Sequence, residues 1–295
     1  MFYATLHQVR ESIGNLDGNT AGDALLLKYL RWATDFINHY KGRRYDVRLA
    51  TIPHDAPIAR GSSFGVFDRA YSAGEAVPAL ILQDDLLDLV ELTNGDGEEI
   101  VADSYVLQPN RSTPYSVLKL RGGEQWRAND DGNIAGALSV TGLWGYHTDY
   151  ANAFVDSLDT VQNNPLTAGG KTITIDDAGG VAADLESPRF QVGQLLRIED
   201  EFLYLVGVQD KSLTVVRGYN GTTAAAHAQG ATIEIYRPEG FIVQACERLV
   251  KWRYTQRDTD SFDRTYNVGT GVVSTPTAIP VDVRDILGAK GRPSL

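Results

Sequence analysis

The chain lacks several of the residues on which catalytic and metal sites are commonly built. It has one cysteine, Cys246, in 295 residues, which excludes a disulfide within the chain and any zinc site made of several cysteines. Its five histidines stand apart, with none within four positions of another, so no helix can carry a zinc-binding histidine pair. The sequence therefore favours a structural or binding protein, and we predict no catalytic residue, no metal and no cofactor.

Long apolar runs and an excess of positive charge are also missing. No segment approaches the roughly 18 apolar residues of a membrane-spanning helix, and residues 1–4 lack the basic region and apolar stretch of a secretory signal. These absences predict a soluble protein that is made in the cytoplasm and contacts no membrane. Lys and Arg number 27 against 38 Asp and Glu, a formal charge of −11, which argues against a large phosphate-binding surface.

Residue pairs that resemble catalytic or ion-binding groups have simpler interpretations. His147 and Asp149 belong to one loop fragment, where a local contact is expected. Asp84 and Asp85 are neighbours in a predicted strand, so their side chains point to opposite faces. The acidic window 84–103 contains Asp-Gly-Glu but lacks the full spacing and distal Glu of a calcium-binding loop. We interpret this window as a hairpin turn with a solvated acidic rim.

Helical signals come first at the N-terminus. Thr5 followed by Gln8 forms a capping-box pattern, which predicts a short helix from Leu6 to about Ile13. Apolar residues at spacings of four and three then predict a longer helix that ends near Tyr40, before Gly42.

The middle of the chain has the alternation of β structure, and helix returns after it. The first β region carries a strong tight-turn signal at Asn94–Gly97. The second has short strands at roughly ten-residue spacing, typical of a small barrel or sandwich. An apolar face from Ile242 to Trp252 then predicts a further helix. We predict an α+β fold, in which a small helical bundle of N- and C-terminal helices carries antiparallel β regions inserted between them.

This pattern divides the chain into four parts. The predicted parts are a helical core of 1–44 plus 238–258, a β region of 45–147, an inserted small β barrel or sandwich of 148–237, and an extended C-terminal arm of 259–295. The arm begins with a segment rich in Thr, Gly and Ser, which we expect to be mobile or extended in the free subunit. It ends in a small apolar anchor; the alternative is a tail that packs on its own helices.

Four stretches carry a resemblance to a known family. They are residues 3–6 with 23–44, residues 137–146, residues 238–258 and residues 279–287. In order and spacing they resemble the head-tail connector, or adaptor, family of tailed-phage necks. Residues 148–237 depart from the compact members of that family, and Arg217–His227 is similar to strings found in several phage virion proteins.

The resemblance implies a structural role in the virion neck, without enzymatic activity. Members form a ring, typically a dodecamer, that joins the portal protein to the stopper or tail-completion protein and extends the DNA channel; the capsid is a further expected contact. DNA passes through an acidic lumen without specific binding, because like charges release no counterions. The resemblance also implies that the C-terminal arm docks on the portal. The residues assigned to this contact are Ile279, Pro280, Val281, Val283, Arg284, Ile286, Leu287 and Arg292.

Two other functions remain open at this point. The second β region and the aromatic residues Trp126, Trp144 and Tyr219 suggest a carbohydrate-binding β protein of a phage tail or baseplate. A hydrolase with dispersed catalytic residues is a weaker third hypothesis.

Overall fold

A computed structural model describes residues 1–14, 20–58, 78–256, 265–267, 272–274 and 279–288. Contacts divide the chain into two compact units. The first unit comprises Met1–Tyr45, Phe154–Tyr219 and Thr223–Leu295, and the second comprises Asp46–Ala153 with Asn220–Thr222. The four predicted parts stay a prediction, because a division by contacts does not test whether residues 148–237 fold without the helices.

Three helices of the first unit lie where capping and apolar spacing predict them, and the fourth lies in the segment that was predicted to be an extended arm. They are α1 (Leu6–Ile13), α2 (Asp23–Lys41), α3 (Gly240–Thr255) and α4 (Val281–Gly288). The capping box is formed, with the Gln8 amide donating to Thr5 Oγ1 at 3.2 Å and the Thr5 amide donating to Gln8 Oε1 at 2.9 Å. The apolar stripes of α2 and α3 are buried, and α3 contacts each of the other three helices.

The second unit is built on a five-stranded antiparallel sheet. Its strands are β1 (Arg48–His54), β2 (Leu80–Thr93), β3 (Tyr105–Gln108), β4 (Tyr115–Leu120) and β5 (Leu138–Trp144), in the order β1-β5-β2-β4-β3. The core contains Trp126 and Trp144, both nearly fully buried. Their indole N–H groups donate to the Pro78 and Ala50 carbonyls, each at 2.8 Å. Neither tryptophan is therefore the exposed aromatic group that a carbohydrate site would use.

The first unit contains a six-stranded antiparallel sheet. Its strands are β6 (Phe154–Thr160), β7 (Thr172–Thr174), β8 (Leu195–Ile198), β9 (Glu201–Gln209), β10 (Ser212–Val216) and β11 (Thr232–Tyr236), in the order β6-β11-β8-β9-β10-β7. Its inward side chains form one buried apolar cluster. The two outer strands are joined at their ends, since the Gln162 amide donates to the Thr174 carbonyl at 2.8 Å. The buried Asp159 carboxylate adds two bonds, from the amides of Asp176 (3.1 Å) and Asp177 (3.0 Å).

The predicted fold class is wrong. The chain is mostly antiparallel β, with sheets of five and six strands and four helices, rather than a small helical bundle that carries an inserted β region. The error has a physical origin, because the helical periodicity is concentrated in a few long, strongly patterned segments. Each strand is short and gives a weaker signal, yet the strands together build two separate cores.

Candidate functional site

The C-terminal segment that was predicted to be an arm forms a short helix on the helical part of the first unit. Helix α4 begins directly after Pro280 and packs against α3. Its side chains Val283 and Leu287 are fully buried there, whereas Val281 is 51% exposed. Among the other predicted contact residues, Ile279, Pro280 and Ile286 are half-buried and Arg284 is exposed, while Arg292 lies outside the described residues.

Polar contacts fix both ends of α4. At its first turn, Arg248 Nε of α3 donates to Asp282 Oδ2 at 2.6 Å, and this hydrogen bond holds the pKa of the Asp282 carboxyl below its usual value. An acidic residue in the first turn also suits the positive end of the helix dipole. At the other end, Lys41 Nζ donates to the Leu287 carbonyl, and burial followed by the nearby Arg43 charge lowers the Lys41 pKa.

The attachment of α4 is small in energetic terms. Two fully buried aliphatic side chains contribute about 1.5–3 kcal/mol each, and ordering the helix on the surface cancels part of that gain. Both partners of the Arg248–Asp282 pair are about half exposed, and such pairs contribute at most about 1 kcal/mol. Chemically, α4 is a short amphipathic helix whose apolar side, Val283 and Leu287, is buried against α3.

The segment between α3 and α4 is only partly described. Two strands of three residues each pair antiparallel. They are β12 (Thr265–Asn267) and β13 (Val272–Ser274). The remainder of the segment that was predicted to be mobile or extended lies outside the described residues.

A second group of charged residues is deeply buried in the first unit. The Glu201 carboxylate accepts two hydrogen bonds from the Arg217 guanidinium (2.7 Å each), one from the Gly218 amide (2.8 Å) and one from the Ala225 amide (3.0 Å). The fifth contact is with His227 Nε2 at 2.9 Å. Burial by itself raises the pKa of Glu201, but these hydrogen bonds outweigh it and lower the pKa to about 2.

The partners of this buried network all belong to the chain itself, as expected for a structural role. Arg217 also donates to the carbonyls of Thr167 and Gly170, at 2.9 and 2.8 Å, and His227 Nδ1 contacts Glu199 Oε2 at 2.9 Å. Because the Glu201 oxygens are saturated by the chain itself, they are not available to a ligand. The network ties Arg217, Gly218, Ala225 and His227 to one buried carboxylate. Sequence analysis missed it because Arg217 and His227 lie 16 and 26 positions after Glu201, and no local pattern links them.

One cleft of about 450 Å³ lies in the first unit, next to the N-terminus. Four of its polar side chains are engaged in pairs, since Gln8 donates to Glu186 at 2.9 Å and Arg237 donates to Asp184 at 2.6 Å. Glu247 also lines the cleft, and burial, followed by the Glu11 and Glu186 charges, raises its pKa. The cleft presents no paired nucleophile and base.

Neither the His147–Asp149 pair nor the Asp84–Asp85 pair forms a catalytic or ion-binding arrangement. The Asp149 amide donates to His147 Nδ1 at 3.1 Å within one turn, and Asp85 is buried whereas Asp84 is exposed. Burial raises the pKa of the Cys246 thiol to about 12, so this residue behaves as a small apolar side chain. Across the described residues, no group of three or more His, Cys, Asp or Glu side chains is arranged to hold a metal ion.

Comparison with known families and proteins leaves the chain without an assignment. No protein-family model matches the sequence, and no curated protein matches it significantly.

In the part of the chain that the structure describes, no helix combines the length and apolar character needed to cross a membrane.

Proposed function

We propose that this chain is a structural protein of a tailed-phage virion, a head-tail connector whose copies form a ring, typically a dodecamer. In this role it joins the portal to the stopper or tail at the neck, and it also approaches the capsid. The observation that carries the proposal is the small, separate attachment of α4 to α3 through Val283 and Leu287. A short helix at the end of a long connection suits an element that transfers from its own subunit to a partner.

The charge of the chain supports the same role. With a formal charge of −11, copies arranged in a ring present a predominantly acidic surface to the channel. Protein surfaces bind DNA when their cations displace the counterions of the phosphates. An acidic channel lacks that driving force, so DNA passes through it without specific binding.

Docking of the arm on the portal requires a change in α4. Val283 and Leu287 face α3 in the free subunit, and they must leave it before they can contact another protein. The exposed residues Val281 and Arg284 are accessible for a first contact. If α4 exchanges its apolar contact with α3 for a similar contact on the portal, the net change in free energy is small. Because every subunit of a ring makes the same contact, the overall affinity is much higher than that of one weak contact.

The test is electron microscopy of the full chain mixed with the portal protein encoded in the same genome. We expect rings of the chain bound to the portal. Truncation after Thr275 should leave a folded subunit that no longer holds the portal, whereas the surface variant Lys119→Ala in β4 should bind like the full chain. Portal binding by the truncated chain that equals that of the full chain would show that the arm only packs on its own helices.

The carbohydrate-binding alternative has less support. Two of the three aromatic residues that suggested it, Trp126 and Trp144, are core residues. The third, Tyr219, is half-buried and stacks on Tyr204 with ring centroids 5.1 Å apart. Glycan binding by a monomer or trimer that forms no ring would favour this alternative over the connector.

A further inference from the structure

Two exposed leucines of the first unit occupy a backbone conformation that leucine rarely adopts. Leu158 has φ 58° and is 60% exposed, and Leu185 has φ 70° and is 83% exposed. The left-handed region brings the Cβ atom close to the backbone, so glycine or asparagine is the usual residue there. Burial does not explain either side chain, and a contact outside the subunit is one physical reason for a leucine at these positions.

Each leucine stands at the tip of a well-defined local structure. Leu158 lies in a bulge of β6, where the register against β11 shifts, and its amide donates to Asp156 Oδ1 at 2.8 Å. Leu185 lies at the tip of a turn closed by hydrogen bonds from its own amide to the Ala182 carbonyl (2.9 Å) and from the Ala182 amide to the Glu186 carbonyl (3.0 Å). Both conformations are thus fixed by backbone geometry.

The two tips are also fixed to each other. The Ala183 amide donates to the Asp156 carbonyl at 2.9 Å. Arg189 Nη1 donates to the Ser157 and Leu158 carbonyls at 2.9 and 2.8 Å. We call Leu158, Leu185 and the exposed Val181 from the same loop the leucine platform; these hydrogen bonds hold together the two loops that carry it.

The charge next to the leucine platform is acidic. Asp156 and Asp177 are exposed, and Glu186 follows Leu185 directly. Arg237 is engaged with Asp184 at 2.6 Å and lies 3.8 Å from Glu186. The mostly buried Arg189 lies 3.8 Å from Asp177, so these four acids face two arginines and a negative excess remains. A partner for this surface should therefore be apolar at its centre and basic at its edge.

A surface of that description exists on the helices of the same unit. Trp32, Phe36 and Tyr40 follow one another at four-residue spacing along α2, with ring centroids 5.6 and 5.9 Å apart. Trp252 of α3 stacks on Trp32 at 6.4 Å, and the Arg253 guanidinium lies 5.6 Å from the Trp32 ring centre. We call these five residues the aromatic ridge.

The aromatic ridge lies on the outer face of α2. Its aromatic side chains are half-buried or exposed, whereas the buried stripe of α2, Leu26, Leu30 and Ile37, faces inward. Arg253 and Lys28, one turn before Trp32, give its edge positive charge, with Asp35 as an opposing acid. Trp, Tyr and Arg are also the residues that most often dominate binding energy in protein interfaces.

We propose that the leucine platform of one copy of this chain binds the aromatic ridge of the next copy. A ring needs a heterologous contact, made by two different surfaces of the same chain, and these two surfaces are complementary in apolar character and in the sign of their edge charge. This inference rests on the proposed ring and specifies its subunit interface.

Two complementary variants test the pairing. Leu185→Asp places a charge on the platform and leaves the ridge intact, whereas Tyr40→Glu combined with Arg253→Glu alters the ridge and leaves the platform intact. All three positions are exposed, so both variants should fold. Sedimentation velocity should show that each variant alone loses self-association by at least tenfold, and that a 1:1 mixture forms a heterodimer through the one intact pair of surfaces.

The outcomes separate this interface from the proposed function. If the mixture forms no heterodimer, or if Leu185→Asp assembles like the original chain, the pairing is wrong while the ring proposal stands. If the original chain stays monomeric both alone and with portal, the ring and the interface both fail.

A second variant separates a contact role from a structural role for Leu185. Leu185→Gly removes the unfavourable left-handed leucine, so the melting temperature should stay unchanged or rise by about 2 °C. Self-association should nevertheless fall at least tenfold, because the apolar side chain is lost. A lower melting temperature with unchanged self-association would assign Leu185 a structural role and overturn the proposal.

Discussion

Two segments of the first unit are attached to its body by opposite means. Residues 217–219 and 223–227 are held by the buried Glu201 carboxylate, whose side chain is 1% exposed and which accepts five hydrogen bonds from the chain. Helix α4 is held by two aliphatic side chains, by the Arg248–Asp282 pair, in which Arg248 is 52% exposed, and by the Lys41 hydrogen bond to the Leu287 carbonyl. We expect the first attachment to break only when the unit unfolds, and the second to open by itself.

This difference follows from the cost of leaving a charge without a partner. Removal of one member of a buried ion pair leaves the other charged and desolvated, which costs several kcal/mol. Solvent replaces a lost partner at an exposed pair, so the cost there is small. Buried charge therefore suits a permanent attachment, and a small apolar contact with an exposed ion pair suits a releasable one.

The largest expected effect belongs to Glu201. Glu201→Gln should lower the free energy of unfolding by about 3–5 kcal/mol, because it leaves Arg217 buried without its counter-charge. Urea unfolding measures this loss. Glu199→Gln is the matched control, since Glu199 contacts the other nitrogen of the same His227 ring but is 63% exposed, and we expect a loss below about 1 kcal/mol. Equal losses in the two variants would contradict the buried-charge account.

A fall in pH should weaken the same attachment. The pKa of Glu201 is lowered from 4.5 to about 2 in the folded chain. The stability that the ionised carboxylate contributes is therefore complete above pH 4.5 and is lost as the pH falls from 4.5 to about 2. The lost contribution corresponds to about 3 kcal/mol. Urea unfolding should therefore show a smaller difference in the free energy of unfolding between the original chain and Glu201→Gln at pH 2.5 than at pH 5. A difference that is the same at both pH values would show that the ionised Glu201 carboxylate is not its cause.

Substitution in the apolar contact of α4 should have a local effect. Leu287→Asp should detach α4 and make the C-terminal segment at least tenfold more sensitive to limited proteolysis, because a charge cannot remain in the contact with α3. The unfolding midpoint of the rest of the chain should change little. Val281→Asp, at a half-exposed position of the same helix, is the control and should leave the proteolysis rate near that of the original chain. Loss of the whole fold in Leu287→Asp would show that α4 is part of the main core.

The smallest effect is expected at the ion pair of α4. Asp282→Asn should weaken the attachment by about 0.2–1 kcal/mol, and the difference from the original chain should shrink in high salt. The rate of proteolysis at the C-terminal segment, measured at low and high salt, reports this change. A difference that does not depend on salt would point to a packing effect instead.

The features that could be predicted from sequence are those set by local chemistry. The capping box at Thr5 and Gln8 and the apolar stripe of α2 place two helices within a few residues, because capping and periodicity depend on neighbours in the chain. The core of the six-stranded sheet, including Ile173, Leu203 and Ile233, also follows from alternation.

The features that sequence reasoning missed depend on distant partners. Trp126 and Trp144 appeared exposed because nothing near them in sequence shows the carbonyls to which they donate. The buried network of Glu201 gave no sequence signal because its partners Arg217 and His227 come much later in the chain. The docking of α4 on α3 depends on a groove that only the assembled helices form. The fold class failed for a related reason, since the pairing of short strands was underestimated.

Hydrogen exchange measured by mass spectrometry on the unmodified chain tests the central difference most directly. The amides of α4, including Arg284, which donates to the Pro280 carbonyl at 3.1 Å, should exchange by local opening, well before global unfolding. The amides of Gly218 and Ala225, which donate to Glu201, should exchange only with global unfolding and at least a hundredfold more slowly. Exchange of both segments at one common rate would contradict the account, because α4 would then be as permanent an attachment as the buried network.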